Sequence, residues 1–131
     1  VTGFADIVTT MVAYLAGMLA PVSVATRVPE TRPLEFVQVR RVGGPALPPV
    51  RETVRLDVFC WAETEARAYQ LGTYVREAMW ALSSQMLAGV PVYEVGEFMG
   101  PTMTADDQTR TPQLWATYEL IVRADSAIHR M

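Results

Sequence analysis

The sequence predicts an α+β domain: a mainly antiparallel four- to five-stranded sheet with two helices packed on one face, in the order α-β-β-β-α-β-β. Three observations carry that prediction. The first is alternation in residues 52–62, where Val54, Leu56, Val58 and Cys60 fall on one side of an extended chain and Arg55, Asp57, Phe59 and Trp61 on the other. The second is the change of period that follows. Ala68, Leu71, Val75, Ala78, Leu82 and Met86 recur at three- and four-residue steps, widened by Met79, so a long helix is expected over residues 64–89. The third is a second alternating run at 114–123, with Leu114, Ala116, Tyr118, Leu120 and Val122 set against Trp115, Thr117, Glu119, Ile121 and Arg123.

In chain order, residues 4–18 predict the first helix, with Phe4, Ile7, Val8, Met11, Leu15 and Met18 as its apolar stripe and Pro21 ending it. Its polar side holds no Lys or Arg, so it is read as a helix on a sheet and not one on a membrane surface. Residues 22–28 are rich in β-branched side chains and predict a short edge strand. Residues 34–42 predict the next strand. There Val37 and Val39 share a side with Glu35 and Arg41, and Leu34 and Phe36 share the other with Gln38 and Arg40, which leaves the buried side open.

Residues 43–51 hold Gly43, Gly44 and three prolines and predict a hairpin loop, which either projects as a contact surface or folds back on its own sheet. After the central strand, Thr64 is placed as the N-cap of the long helix, Glu65 in its first turn and Gly89 at its stop. Residues 90–98 predict a strand and 99–112 a long polar loop, of the kind that carries function. Residues 124–131 read as a short tail. The 131 residues form one domain, 1–131.

Composition narrows the function classes. Half of the residues are hydrophobic and 19% are charged, so the chain is globular. A net charge of -3 without a basic stripe argues against sequence-specific nucleic-acid binding. One cysteine makes no internal disulfide. No apolar run spans a bilayer and no Lys or Arg precedes Arg27, so assembly in a bacterial cytoplasm is expected, away from membranes.

Catalytic constellations are missing. His129, the single histidine, stands next to the end of the sequence. Cys60 sits on the apolar side of its strand without cationic neighbours, so a buried apolar role is expected. Asp106 and Asp107 form an acidic pair, but they lack the alternating oxygen ligands of a calcium loop. The glycines form neither a phosphate loop nor a dinucleotide fingerprint. No catalytic, cofactor-binding or metal-binding residue is therefore assigned, and the protein is expected not to be an enzyme. Glu63, Glu65, Arg67, Arg76 and Glu77 are read as the wet face of the long helix. The unusual feature is aromatic content opposite the best core stripes. Phe59, Trp61, Trp115 and Ile121 give the sheet a second apolar side, which a neighbouring subunit would cover.

The helix FADIVTTMVAYLAGML, the strand LEFVQVRRVGG, the stretch VRLDVFCWAETEARAYQLGTYVREAM and the closing TRTPQLWATYELIVRA together resemble the tail terminator (tail completion) proteins of long, flexible-tailed siphovirus bacteriophages. The resemblance covers nearly the whole chain and contains no invariant chemical signature. It implies a virion protein that forms a ring, typically a hexamer, on the last ring of tail-tube subunits. Such a ring stops tube polymerisation and offers a surface to head-completion or connector proteins, while DNA passes through its lumen. On this sequence it implies subunit packing through Phe59, Trp61, Trp115 and Ile121. It implies contacts to tube or connector through the loops 43–51 and 99–112, with Leu47, Val50, Met99, Met103, Asp106, Asp107 and Arg110 as the candidates. Two other readings remain open at this point: a different head–tail joining component, such as a stopper or minor tail protein, and a small ligand-binding α+β domain.

Overall fold

A computed structural model of the protein describes residues 7–31, 33–42, 46–47, 51–87, 89–105 and 111–123. Two helices, α1 (Ile7–Leu19) and α2 (Glu65–Trp80), accompany the strands β1 (Ser23–Ala25), β2 (Phe36–Arg41), β3 (Ala46–Leu47), β4 (Arg51–Trp61), β5 (Gln85–Leu87), β6 (Val90–Ala105) and β7 (Pro112–Arg123). The fold is α+β. The strands form one sheet in the order β1-β2-β4-β7-β6-β5, with the two-residue β3 added beside the start of β4. Only β1 and β2 run parallel among these pairs, so the sheet is mixed and larger than the four to five strands expected.

The central ladder runs from Arg51 opposite Arg123 to Trp61 opposite Gln113. It puts Val54, Leu56, Val58 and Cys60 beside Leu120, Tyr118, Ala116 and Leu114 on one side. The β2 register adds Val37 and Val39 to that side, which settles the face that the sequence left open. These residues join Ile7, Met11, Leu15 and Leu19 of α1 and Ala68, Leu71, Val75, Ala78 and Met79 of α2 in one buried cluster. Burying a side chain such as Leu56 or Leu71 contributes about 1.5–3 kcal/mol, so this layer is what holds the domain together. The helices touch through Tyr14, whose hydroxyl donates to the Ala78 carbonyl at 2.7 Å.

α2 begins as expected. The Thr64 hydroxyl oxygen accepts from the Arg67 amide at 3.2 Å and Glu65 lies in the first turn. It ends earlier than expected, at Trp80. Leu82 and Met86 continue the helical spacing, but Ser83 and Ser84 interrupt it. Ser84 has a φ of 63°, and the chain reverses into β5. Leu82 is buried in this turn, whereas Met86 stands 60% exposed on β5. Gly89 is not a helix stop. It lies between β5 and β6 with a φ of 84°, a backbone angle that a side chain disfavours. Gly72 has a different reason: a Cβ there would come within 2.1 Å of Leu114 Cδ2, so the missing side chain lets α2 lie directly on β7.

β6 also departs from expectation. It continues through Ala105, so the segment read as a loop at 99–112 is strand for half its length. Register shifts between Val92 and Glu94, Glu97 and Met99, and Met99 and Thr102 let this Gly- and Pro-containing strand follow β7. No helix among the described residues is long and apolar enough to cross a membrane.

Candidate interaction face

The sheet side turned away from the helices is built from the intervening residues of the same strands. At one end, Phe36 of β2 lies opposite Trp61 of β4, and Phe59 of β4 opposite Trp115 of β7. Their rings stack in series. Phe36–Trp61 centroids are 5.6 Å apart, Phe59–Trp61 6.0 Å and Phe59–Trp115 5.8 Å, with interplanar angles of 27°, 29° and 16°. Each stacked pair adds about 0.5–1.5 kcal/mol beyond its area. Phe36 and Trp61 are 1% and 4% exposed, yet neither belongs to the helix-side cluster, so they form a separate apolar layer. Phe59 and Trp115 are half-buried.

A polar row follows along the same side. The Thr117 hydroxyl donates to Asp57 Oδ1 at 2.6 Å, and Arg55 Nε donates to Glu119 Oε2 at 2.7 Å. The Arg55 guanidinium also lies 4.2 Å from the centre of the Phe98 ring, which is 60% exposed. Half-buried Ile121 borders a shallow depression of about 210 Å³ with Glu94, Gly96, Glu97, Phe98 and Glu119.

Of the four residues expected at a subunit interface, the structure leaves Phe59, Trp115 and Ile121 half-buried. It corrects Trp61: Phe36 and Phe59 pack around its indole, so it belongs to the fold of the single chain. Sequence reasoning missed Phe36 and Phe98. Phe36 shares its strand side with Gln38 and Arg40, a signal that became readable once β2 was paired with β4. Phe98 lay at the edge of a segment read as loop.

The partner-contact residues fare differently. Met99 and Met103 lie in β6, opposite Thr117 and Leu114, and not in a loop. Met103 packs partly against the helix-side core. Leu47 is in β3, where its backbone pairs opposite Arg51, so this part of the segment takes the folded-back course of the two that the sequence left open. Val50, Asp106, Asp107 and Arg110 lie outside the described residues, as does His129.

Of the charges read as the wet face of the long helix, Glu63, Glu65 and Glu77 are exposed, whereas Arg67 and Arg76 bind within the chain. Arg67 forms a bidentate pair with Glu35, and Arg76 one with Glu97. The Arg67 hydrogen bond holds the Glu35 carboxyl below its ordinary value of 4.5. At the far rim of the core, Glu52 is 1% exposed and accepts from Arg41 at 2.8 Å.

Burial pushes the Cys60 thiol up to about 12, which disfavours the reactive thiolate. Among the described residues no group of three His, Cys, Asp or Glu side chains could hold a metal ion. A cleft of about 470 Å³ lies beside the start of α2, lined by Pro21, Pro33, Leu34, Glu63 and Arg67 among others. Its Arg67 and Glu35 neutralise one another, and its Thr64 caps the helix. In comparisons with known proteins, no protein-family model matches the chain and no curated protein matches it.

Proposed function

We propose that this protein is a structural virion component of a long, flexible-tailed bacteriophage. Copies of it form a ring, a hexamer in the family it resembles, that caps the tail tube, ends its polymerisation and receives the head connector. The reading rests on binding surfaces and requires no turnover. The observation that carries it is the second face of the sheet. Phe59, Trp115 and Ile121 remain half-buried there, outside the helix-side core that stabilises the single chain. Aromatic residues on a face of this kind favour protein association. The sequence segments that carry the family resemblance also support it. They fold into adjacent strands β2, β4 and β7 with the two helices laid over one side. The -3 net charge suits a lumen through which DNA passes without being held.

Electron microscopy of lysates made without this protein tests the reading. Overlong tails unattached to heads are expected. Tails of normal length joined to heads would overturn it.

A further inference from the structure

The two ends of the central ladder carry opposite charge, and neither end has an ion-pair partner among the described residues. At one end Arg51 of β4 lies directly opposite Arg123 of β7. Both are exposed. Like charges placed opposite one another on neighbouring strands repel. The Arg51 guanidinium turns across the end of β7 onto Tyr93 of β6, 5.1 Å from its ring centre. Ion pairs among the described residues join Arg41 to Glu52, Arg55 to Glu119, Arg67 to Glu35 and Arg76 to Glu97, and none involves Arg51 or Arg123. Glu94 lies opposite Ile121, two positions along the ladder from Arg123, and pairs with neither.

At the other end β4 leads into Glu63, Thr64 and Glu65. Both carboxylates are exposed and neither has an ion-pair partner among the described residues. Glu63 borders the open cleft beside Leu34, and the stacked rings of Phe36, Trp61, Phe59 and Trp115 lie at this same end of the sheet. A strand rises ~3.3 Å per residue, so roughly 33 Å separates Arg51 from Trp61. The arginines therefore cannot reach these carboxylates in their own chain.

We propose that copies of the chain join head to tail, with Arg51 and Arg123 of one copy meeting Glu63 and Glu65 of the next. This rests on the ring reading and names the charged contact within it. One patch meets a different patch, the heterologous geometry that closes into rings. The arginines stop repelling unopposed once carboxylates stand between them, and the aromatic end lies next to the contact. The occupant is a second copy and not DNA, because the complementary charge is carried by the chain itself.

Sedimentation velocity of the full chain tests the proposal, with thermal unfolding as a control for folding. Arg51→Glu with Arg123→Glu should weaken association at least ~100-fold without lowering the unfolding temperature. Glu63→Arg with Glu65→Gln should do the same, the glutamine sparing the helix N-terminus a cation. An equimolar mixture of the two variant chains should reassemble, because each reversed end then meets a complementary one. The wild-type oligomer should also loosen as salt rises, which needs no substitution. An oligomer that survives both reversals and ignores salt overturns this contact and leaves the ring reading standing. A wild-type chain that stays monomeric even with tail tubes present overturns both. Loss of duplex-DNA retention on arginine reversal, with the oligomer intact, would assign the arginines to phosphate and overturn the contact.

Discussion

On the helix-covered face of the sheet, Val54, Leu56, Val58, Leu120 and Val122 are fully buried, and their neighbours are apolar side chains from both helices. On the opposite face the alternate residues of the same strands include a stacked aromatic row, a hydrogen-bonded Asp57–Thr117 pair, the Arg55–Glu119 ion pair and half-buried Ile121. One strand thus serves two layers of different composition. The first excludes water in every direction and sets stability. The second mixes apolar, aromatic and charged groups, and its half-buried aromatic residues are what the proposed association rests on. Trp61 marks the boundary: it points to the second face but is buried like the first.

The largest expected effects fall on side chains that the single chain buries on either face. Leu71→Ala should lower unfolding stability by about 2–5 kcal/mol in urea titrations, and Trp61→Ala by about 3–5 kcal/mol. A mild Trp61→Ala would return that residue to the interface and break the distinction. Next comes Gly72→Ala, which drives a methyl group into Leu114 and should cost about 1–3 kcal/mol. Adding Leu114→Ala to it should cost less than the sum of the two single changes. Strict additivity would mean that α2 does not lie against β7 at this point.

The smallest effect concerns the rim of the helix face. The Arg67 hydrogen bond lowers the folded-state pKa of Glu35. Its stabilisation is then complete above the ordinary carboxylate value of 4.5 and fades as pH falls through the lower folded value. The pair is about a third exposed, so Arg67→Gln should cost only ~0–1 kcal/mol at neutral pH. That difference should vanish in strong acid. A difference that persists there would mean that Arg67 acts through packing, over the Tyr74 ring 5.9 Å away.

Legibility in the sequence follows the same division. The two faces of β4 and β7 were readable because both strands alternate cleanly, and Thr64 announced the start of α2. The end of α2 was not readable, because Leu82 and Met86 keep a helical spacing after the chain has turned at Ser83 and Ser84. The second half of β6 does alternate, with Met99, Pro101 and Met103 half-buried and Gly100, Thr102 and Thr104 exposed, but its Gly-Pro step reads as a loop. Gly100, Pro101 and three register shifts hide it, and its pairing is imposed by the length of β7. The parallel β1 contact and the Phe36–Trp61 stack depend on which strands become neighbours, and local pattern does not encode that. For the same reason sequence reading placed Phe59, Trp61, Trp115 and Ile121 together at an interface, when Trp61 was already covered by its own chain.

The central claim is that the half-buried residues of the second face, Phe59, Trp115 and Ile121, serve association, while the helix-covered face serves folding. Sedimentation velocity of the wild-type chain and of Trp115→Ala, each alongside its urea unfolding curve, tests it most directly. The account predicts a ring-sized wild-type species, and a Trp115→Ala chain that sediments as a monomer while losing only about 1 kcal/mol of stability. A Trp115→Ala chain that assembles normally after a loss of several kcal/mol would contradict it, and would make the second face part of the core.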